Sequence, residues 1–338
     1  MTLNLPKTVT NVVVFLILLS SQMAFAAKDL QGTLAVVNKK DNTISVIDLS
    51  AKAITDTLAT GQGPHELVLS KDQKWAVSTD FVGGNSLTVF DMSNTGVGSQ
   101  SIARTIPLPN LPGPHGIRFF EDSERVIFTS GTAQKLGIAN VITGEVIGHI
   151  DTEQTTTHMV AFNNDETLAY STNIRSNTIS ALNLADAIKV KDIATEAMPE
   201  AINYRRTANE LWYGANEDGL LVVIDPISEA VIAKWDGFSF PYRVLFNHDE
   251  SIAMVPDFRN HYVRFFDAQT KQELGTLELE PEAGPQGIVL HPTKDIVFLS
   301  LNLKNKVLAI DVATRKVIAE YPTGNNPDGL VFISSPNE

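Results

Sequence analysis

The hydrophobic positions of the chain fall into short runs that alternate with polar residues and are separated by polar turns. In ELVLSKDQKWAVSTD (residues 66–80), one apolar run leads through a charged turn into a second run that ends on small polar residues. GIRFFEDSERVIFTS (116–130) and MVAFNNDETLAYSTN (159–173) repeat this order. Two-residue alternation with Val, Ile, Thr and Phe is typical of β-strands, so each stretch predicts two strands joined by a turn.

The same arrangement recurs at a nearly constant period. The units start at Pro64, Pro114, Thr157, Pro199, Pro241, Pro285 and Pro327, with spacings of 50, 43, 42, 42, 44 and 42 residues. The polar, glycine-containing insertion SNTGVGSQS (93–101) accounts for the longer first spacing. Third and fourth strands follow in the units, as in NTISVIDLS (42–50) and KVIAEYPTG (316–324). Four strands at this period predict an all-β fold, a seven-bladed β-propeller with four antiparallel strands per blade.

One segment has the composition of a helix. LADAIKVKDIATEAM (184–198) is rich in Ala and Lys, but it occupies the position of a turn and a fourth strand in the repeat. Helix propensity is a weak preference that the surrounding fold overrides, so the repeat predicts a strand here.

The two ends of the chain complement each other. The first unit begins with second, third and fourth strands, and the chain closes on a lone first strand, GLVFIS (329–334). Pairing the two ends makes one composite blade and leaves no open inner edge, which a ring without disulfides needs. Residues 27–338 are therefore expected to form a single propeller domain.

The N-terminus has the pattern of a secretory signal. Lys7 is followed by the apolar run VVVFLILL (12–19) and by Ala24-Phe25-Ala26, which predicts a signal peptide over residues 1–26 and cleavage after Ala26. The run is short for a membrane span, and no other stretch approaches that length, so no span is expected after cleavage. We expect a soluble periplasmic or secreted protein.

Cysteine content and charge exclude several classes of site and partner. The chain has no cysteine, so disulfides, iron–sulfur clusters and covalent haem c attachment are excluded. Its formal net charge of -13 disfavours nucleic acid as a partner, because such a surface repels the phosphate backbone.

The repeats resemble the YVTN-repeat β-propeller family, which includes YncE-like and secreted surface-layer-type proteins. The resemblance covers residues 31–335 and lies in the G-x-x-P-x-G-[IL] start of the blades, in YSTN (170–173) and in third strands such as NTISVIDLS. It implies the propeller fold. It does not imply one activity, because related propellers are binding scaffolds, haem-holding domains or lactonase-like enzymes.

Polar side chains occupy one equivalent position in all seven units, directly after the first residue of the repeat. In a propeller the first strand of each blade lines the central channel, so we expect these residues at one channel mouth. They are His65, His115, His158, Glu200, Tyr242, Gln286 and Asp328. Because the seventh blade adjoins the first, Asp328 is expected next to His65. Arg243, with Arg118, lies on a first strand and is a candidate for contacting an anionic ligand or for pairing with Asp328 or Glu200.

Three interpretations of this arc remain open. His65, His115 and His158, with Glu200 or Asp328, form a candidate metal site, because imidazoles with a carboxylate suit zinc, copper or iron. The same histidines can act as general acid and base without a metal. The third interpretation is structural, since a polar side chain at a Gly-Pro turn often satisfies nearby backbone groups.

The sequence therefore predicts an exported binding scaffold whose polar channel mouth holds a metal ion or small ligand, or docks a periplasmic protein. The alternative is a periplasmic enzyme with its site at that mouth, acting as a metal- or histidine-dependent hydrolase, lactonase-like or lyase-like enzyme, or oxidoreductase.

Overall fold

A computed structural model describes residues 30–93 and 100–334. The predicted signal peptide and most of the insertion at 93–101 lie outside these ranges. The described residues form strands joined by turns. Within them no helix is long and apolar enough to cross a membrane.

The strands assemble into seven antiparallel sheets of four strands each, which confirms the predicted seven-bladed architecture. In chain order the strands are β1 (Thr33–Asn38), β2 (Thr43–Asp48), β3 (Ala53–Ala59), β4 (Pro64–Leu69), β5 (Trp75–Asp80), β6 (Ser86–Asp91), β7 (Ser101–Pro107), β8 (Pro114–Phe119), β9 (Arg125–Ser130), β10 (Lys135–Asn140), β11 (Glu145–Asp151), β12 (Thr157–Phe162), β13 (Leu168–Asn173) and β14 (Thr178–Asn183). They continue as β15 (Ile188–Ala194), β16 (Pro199–Arg205), β17 (Glu210–Ala215), β18 (Leu220–Ile224), β19 (Val231–Trp235), β20 (Leu245–Phe246), β21 (Ile252–Asp257), β22 (Tyr262–Asp267), β23 (Glu273–Glu278), β24 (Pro285–Leu290), β25 (Ile296–Leu301), β26 (Lys306–Asp311), β27 (Lys316–Pro322) and β28 (Pro327–Ile333).

Each blade consists of four consecutive strands, except at the closure of the ring. We number the blades from β4–β7 as blade 1 to β24–β27 as blade 6. Blade 7 is composite, with the order β28-β1-β2-β3. Within it, Leu34 pairs with Phe332 and Val36 pairs with Leu330. The predicted closure by the two chain ends is confirmed.

Two local details test the sequence pattern. The segment with helical composition forms β15, which pairs antiparallel with β14, so the repeat predicted it correctly.

In blade 5 the first strand is shorter than expected. It consists of β20 and a single bridge between Pro241 and Asp257, and the residues between them, including Arg243, lie outside the regular ladder.

The core is divided among the interfaces between neighbouring blades. Each of the seven interfaces holds one cluster of buried apolar side chains. Between blades 6 and 7, the rings of Phe298 and Phe332 stack at 5.6 Å, and between blades 4 and 5, Trp212 meets Phe246 edge-on at 5.4 Å. Burying one large apolar side chain stabilises the fold by about 1.5–3 kcal/mol. Such packing holds the ring together without a disulfide.

Candidate functional site

A β-bulge lies at the start of most first strands. In blade 1 the pairing of β4 with β5 shifts between Pro64 and Leu67, so His65 and Glu66 together face one residue of β5. The same shift occurs in blades 2, 3, 4, 6 and 7. A bulge interrupts the alternation of side chains, so two successive residues can reach the channel.

The seven residues predicted at the channel mouth form a largely buried ring. We call them the polar ring: His65, His115, His158, Glu200, Tyr242, Gln286 and Asp328. His158 is half-buried, and the other six are buried, with Asp328 at 0% exposure. The polar ring therefore closes this end of the channel. The reason is the size of the side chains, which fill a narrow axis at this level.

The three predicted histidines lie side by side. The imidazole rings of His65 and His115 have centroids 4.2 Å apart, and those of His115 and His158 are 3.7 Å apart. Phe81, in the turn after β5, covers two of these rings edge-on, at 5.4 Å from His65 and 4.7 Å from His115. The pseudosymmetry of blades 1 to 3 thus brings residues that are 50 and 43 positions apart into contact.

Asp328 adjoins His65, as ring closure predicted. Its Oδ2 atom lies 3.1 Å from His65 Nδ1 and accepts a hydrogen bond from the Tyr242 hydroxyl at 3.1 Å. The sequence did not single out Lys39, whose ammonium group lies 2.6 Å from the same oxygen and 3.3 Å from His65 Nε2. Lys39 follows β1, so the composite blade places a cation against the ring.

Arg243 and Glu66 pair directly across the channel. The guanidinium Nη2 of Arg243 donates to Glu66 Oε1, and its Nη1 donates to the carbonyl of Tyr242 at 2.7 Å. Glu66 Oε1 also lies 3.2 Å from His65 Nδ1. The candidate partners of Arg243 were Asp328 and Glu200. Its ion-pair partner is Glu66, a residue that the sequence interpretation missed.

A compositional signal for Glu66 and Arg243 is present in the sequence. Both occupy the third position of their repeat, which holds Gly116, Gly287 or Gly329 in three other blades. These glycines are required by close strand packing, since a Cβ at Gly287 would lie 2.2 Å from the Asp328 carbonyl oxygen. Two long, oppositely charged side chains at a position that holds glycine, alanine or methionine in the other five blades are a signal for a salt bridge on the axis.

The remaining members of the polar ring lie further along its circumference. Glu200 accepts a hydrogen bond from Asn216 at 2.6 Å. Gln286 Oε1 is buried and has no hydrogen-bond partner among the described residues. Neither belongs to the group of donor atoms described below.

Burial keeps the histidines neutral. It lowers the pKa of His65 to about 3, with Lys39 and Arg243 acting in the same direction and Asp328 opposing them. Burial also lowers the pKa of His158 to about 3 and holds that of His115 well below its ordinary value. Neutral imidazole is the form that ligates metal ions.

Burial acts on the carboxyl group of Glu200 in the opposite direction. It raises the pKa of Glu200 to about 7, and the nearby Arg243 charge only partly offsets this. The other charges of the site are paired. Lys39 pairs with Asp328 and Arg243 pairs with Glu66, and the neutral imidazoles lie among these pairs.

One group of donor atoms has the spacing of a metal site. Single donor atoms from His65, Glu66 and His115 lie within 4.8 Å of one another. The Nδ1 atoms of His115 and His158 are buried without a hydrogen-bond partner among the described residues, as is Asp328 Oδ1. Two imidazoles and a carboxylate suit zinc, copper or iron. For this group to bind an ion, Glu66 must release Arg243 and His65 must release Lys39, because both contacts occupy donor residues of the group.

Comparisons with known proteins support the fold. No family model matches the chain, and no curated protein matches it. Among solved structures, hydrazine synthase of Kuenenia stuttgartiensis aligns at 14% identity with a TM-score of 0.70, covering 82% of this chain and 96% of that one. A functionally unknown protein from Desulfotomaculum acetoxidans aligns at 13% identity with a TM-score of 0.75, covering 90% of this chain and 99% of that one. Similarity at this level of identity shows the propeller fold alone.

Proposed function

We propose that the protein is an exported binding protein whose site is the group formed by His65, Glu66, His115 and His158. We call these four residues the histidine cluster. Its ligand is a transition-metal ion, namely zinc, copper or iron. The main support is the convergence of donor atoms from His65, Glu66 and His115 within 4.8 Å.

The unpartnered ring nitrogens add a physical reason. A buried polar atom without a hydrogen bond costs about 1–3 kcal/mol, so a fold that keeps two such atoms side by side gains from a ligand there. His115 and His158 each hold one, at rings 3.7 Å apart. A metal ion bound by a neutral imidazole removes that cost without requiring a proton.

The metal content of untagged, purified protein tests the proposal. We expect close to one equivalent of a single transition metal in the wild type by mass spectrometry, after dialysis against zinc, copper or iron. His115→Ala and Glu66→Gln should lose most of it. The matched control is His149→Ala, since His149 lies exposed on the outer strand β11.

Two results would contradict the proposal. One is a wild-type protein that takes up no metal from any of the three dialyses, a result that does not depend on how the variants fold. The other is full metal occupancy in a His115→Ala variant whose far-ultraviolet circular dichroism matches that of the wild type.

Catalysis is a second candidate function, favoured by the position of Glu66. This residue belongs to the histidine cluster and also lines a cavity in the channel beneath the cluster. A molecule in that cavity would lie beside the cluster, as a hydrolase or lactonase-like reaction requires. The test is hydrolysis of aryl esters and lactones by metal-loaded protein, with Glu66→Gln as the negative control. Activity retained by that variant would exclude this site.

Export and membership of the YVTN-type family belong to the same proposal. Their support is the N-terminal pattern and the seven repeats of the sequence. N-terminal sequencing of protein from the periplasm or medium tests the former, with residue 27 expected at the new N-terminus. An intact N-terminus on cytoplasmic protein would contradict it.

A further inference from the structure

The channel beneath the polar ring contains a cavity of about 430 Å³. It extends from the level of Glu66 and Arg243 to the far ends of the first strands, where Leu290 is half-buried and Pro292 exposed. None of the polar-ring residues lines it. We call it the lower cavity. Its volume falls within the range of ordinary small-molecule sites, about 300–1,000 Å³.

The walls of the lower cavity are largely apolar. Three charged side chains also line it, namely Glu66 and Arg243, which pair with each other, and Arg118. The fourth position after the start of each first strand is apolar in five blades, as Val68, Leu245 and Val289 illustrate. Blades 2 and 4 instead place Arg118 and Asn203 there, and both line the cavity. The amide of Asn203 is already engaged, because it donates to the Val244 carbonyl and accepts from the Tyr204 backbone nitrogen. The arginine is therefore the polar group at this level that remains available.

Arg118 is held in place but not neutralised. Its Nε donates to the Val160 carbonyl of the neighbouring blade at 3.2 Å. Among the described residues, no carboxylate lies within ion-pair distance of it. Glu66 pairs with Arg243, and its charge acts on Arg118 only from further away, where it opposes the lowering of the Arg118 pKa. Burial lowers the pKa of Arg118, which reflects the cost of desolvating its charge. A half-buried charge without a counter-ion is unfavourable, and the protein retains it.

We propose that the lower cavity binds a small organic monoanion, a carboxylate with an apolar body, and that Arg118 pairs with the carboxylate. A guanidinium anchored through Nε presents its two Nη groups in the planar geometry that carboxylates match. Phe119 and Leu290 line the same cavity and provide apolar contact for the body of the ligand. A single uncompensated cation fits one negative charge better than the several charges of a polyphosphate. The inference is independent of the metal proposal.

The experiment compares three ligands of equal chain length on the full mature protein by isothermal titration calorimetry. Octanoate should bind at least tenfold more tightly than octan-1-ol, and octylammonium should not bind measurably. Arg118→Gln should weaken octanoate binding at least tenfold and remove the preference for octanoate over octanol. Arg175→Gln is the matched control, because Arg175 is exposed in the turn after β13.

Three results would overturn the proposal. They are no octanoate binding by the wild type, equal affinity for octanoate and octanol, or undiminished octanoate binding by Arg118→Gln. The first two need only the wild-type protein, so they decide the matter even if the variant does not fold. The titrations use metal-free protein, in which the Arg243–Glu66 pair is intact, so their outcome does not depend on metal binding by the histidine cluster.

Discussion

Arg243 of blade 5 donates through Nη2 to Glu66 of blade 1, so one ion pair crosses the axis of the propeller. Both side chains are buried. Glu66 belongs to the histidine cluster and, like Arg243, lines the lower cavity. The ion pair therefore joins the two sites, and Arg243 neutralises the only carboxylate among the proposed metal donors.

The first prediction concerns this charge. Arg243→Gln should raise zinc affinity at least tenfold, because removing the guanidinium frees the Glu66 carboxylate for the ion. The variant should be less stable without metal by about 3 kcal/mol, since Glu66 is left as an uncompensated buried charge. A competition titration with a chromophoric chelator measures the affinity, with Arg175→Gln as control. Unchanged or weaker zinc binding would show that Glu66 is not a ligand.

The second prediction concerns the close contact between blades 2 and 3. A Cβ at Gly116 would lie 2.5 Å from the His158 carbonyl oxygen and 2.7 Å from the Met159 Cα. Gly116→Ala should therefore destabilise the fold by about 2 kcal/mol or more, because backbone must shift.

Denaturant unfolding measures this effect, and the chain supplies a matched control in Gly148. A Cβ at that position would meet nothing within 4 Å. Gly148→Ala should change stability by less than about 0.5 kcal/mol, in the range of ordinary surface substitutions. Equal effects of the two substitutions would contradict the packing argument.

The third prediction concerns a buried charge network at the interface of blades 4 and 5. Glu210 accepts from Trp212 Nε1 at 3.0 Å and lies 2.5 Å from Lys271 and 3.3 Å from Arg205. Glu210→Ala leaves two cations without their carboxylate and should cost about 3–5 kcal/mol of unfolding free energy.

An exposed ion pair is the control for that network. Glu121 pairs with Lys71 on the surface, where both side chains are at least half exposed. Glu121→Ala should cost less than about 1 kcal/mol. Chemical denaturation of both variants measures the difference, and similar losses would show that burial does not determine the contribution of the carboxylate.

The fourth prediction concerns pH and His291, which is buried against Phe332 with ring centroids 4.5 Å apart. Burial lowers its pKa to about 4 from the ordinary value of 6.5. Between these values the unfolded chain binds a proton that the folded chain does not, so stability falls as pH decreases from 6.5 to 4. The loss attributable to this residue is at most about 3 kcal/mol.

His291→Asn removes the titration and retains the acceptor. His291 Nδ1 accepts from the backbone nitrogens of Thr293 and Lys294. In another turn with the same pattern of contacts, Asn140 Oδ1 accepts from the backbone nitrogens of Ile142 and Thr143, so asparagine suits this kind of turn. Urea unfolding at pH 7, 5.5 and 4 should show a steeper acid loss for the wild type than for the variant. Parallel pH profiles would refute the assignment.

The strands, the period and the closure of the ring were predictable from the sequence, because each depends on contacts between neighbouring repeats. Alternation identified the strands, and a fixed spacing placed His65, His115 and His158 at one structural level. Ring closure placed Asp328 next to His65, and the structure has these atoms 3.1 Å apart. Even β15, whose composition favours a helix, followed from its place in the repeat.

The pairings of charged side chains at the channel axis were decided by tertiary structure alone. The opposite charges of Glu66 and Arg243 at equivalent repeat positions are visible in the sequence. Whether the two side chains meet across the axis depends on the width of the channel, so their pairing was not predicted. The contact of Lys39 with Asp328 joins residues from opposite ends of the chain and arises only when the composite blade forms. The polar ring is buried, whereas the far ends of the first strands are partly exposed. This difference depends on how well the seven side chains at each level fill the narrow channel. That is a property of packing in three dimensions, which a one-dimensional periodic pattern does not record.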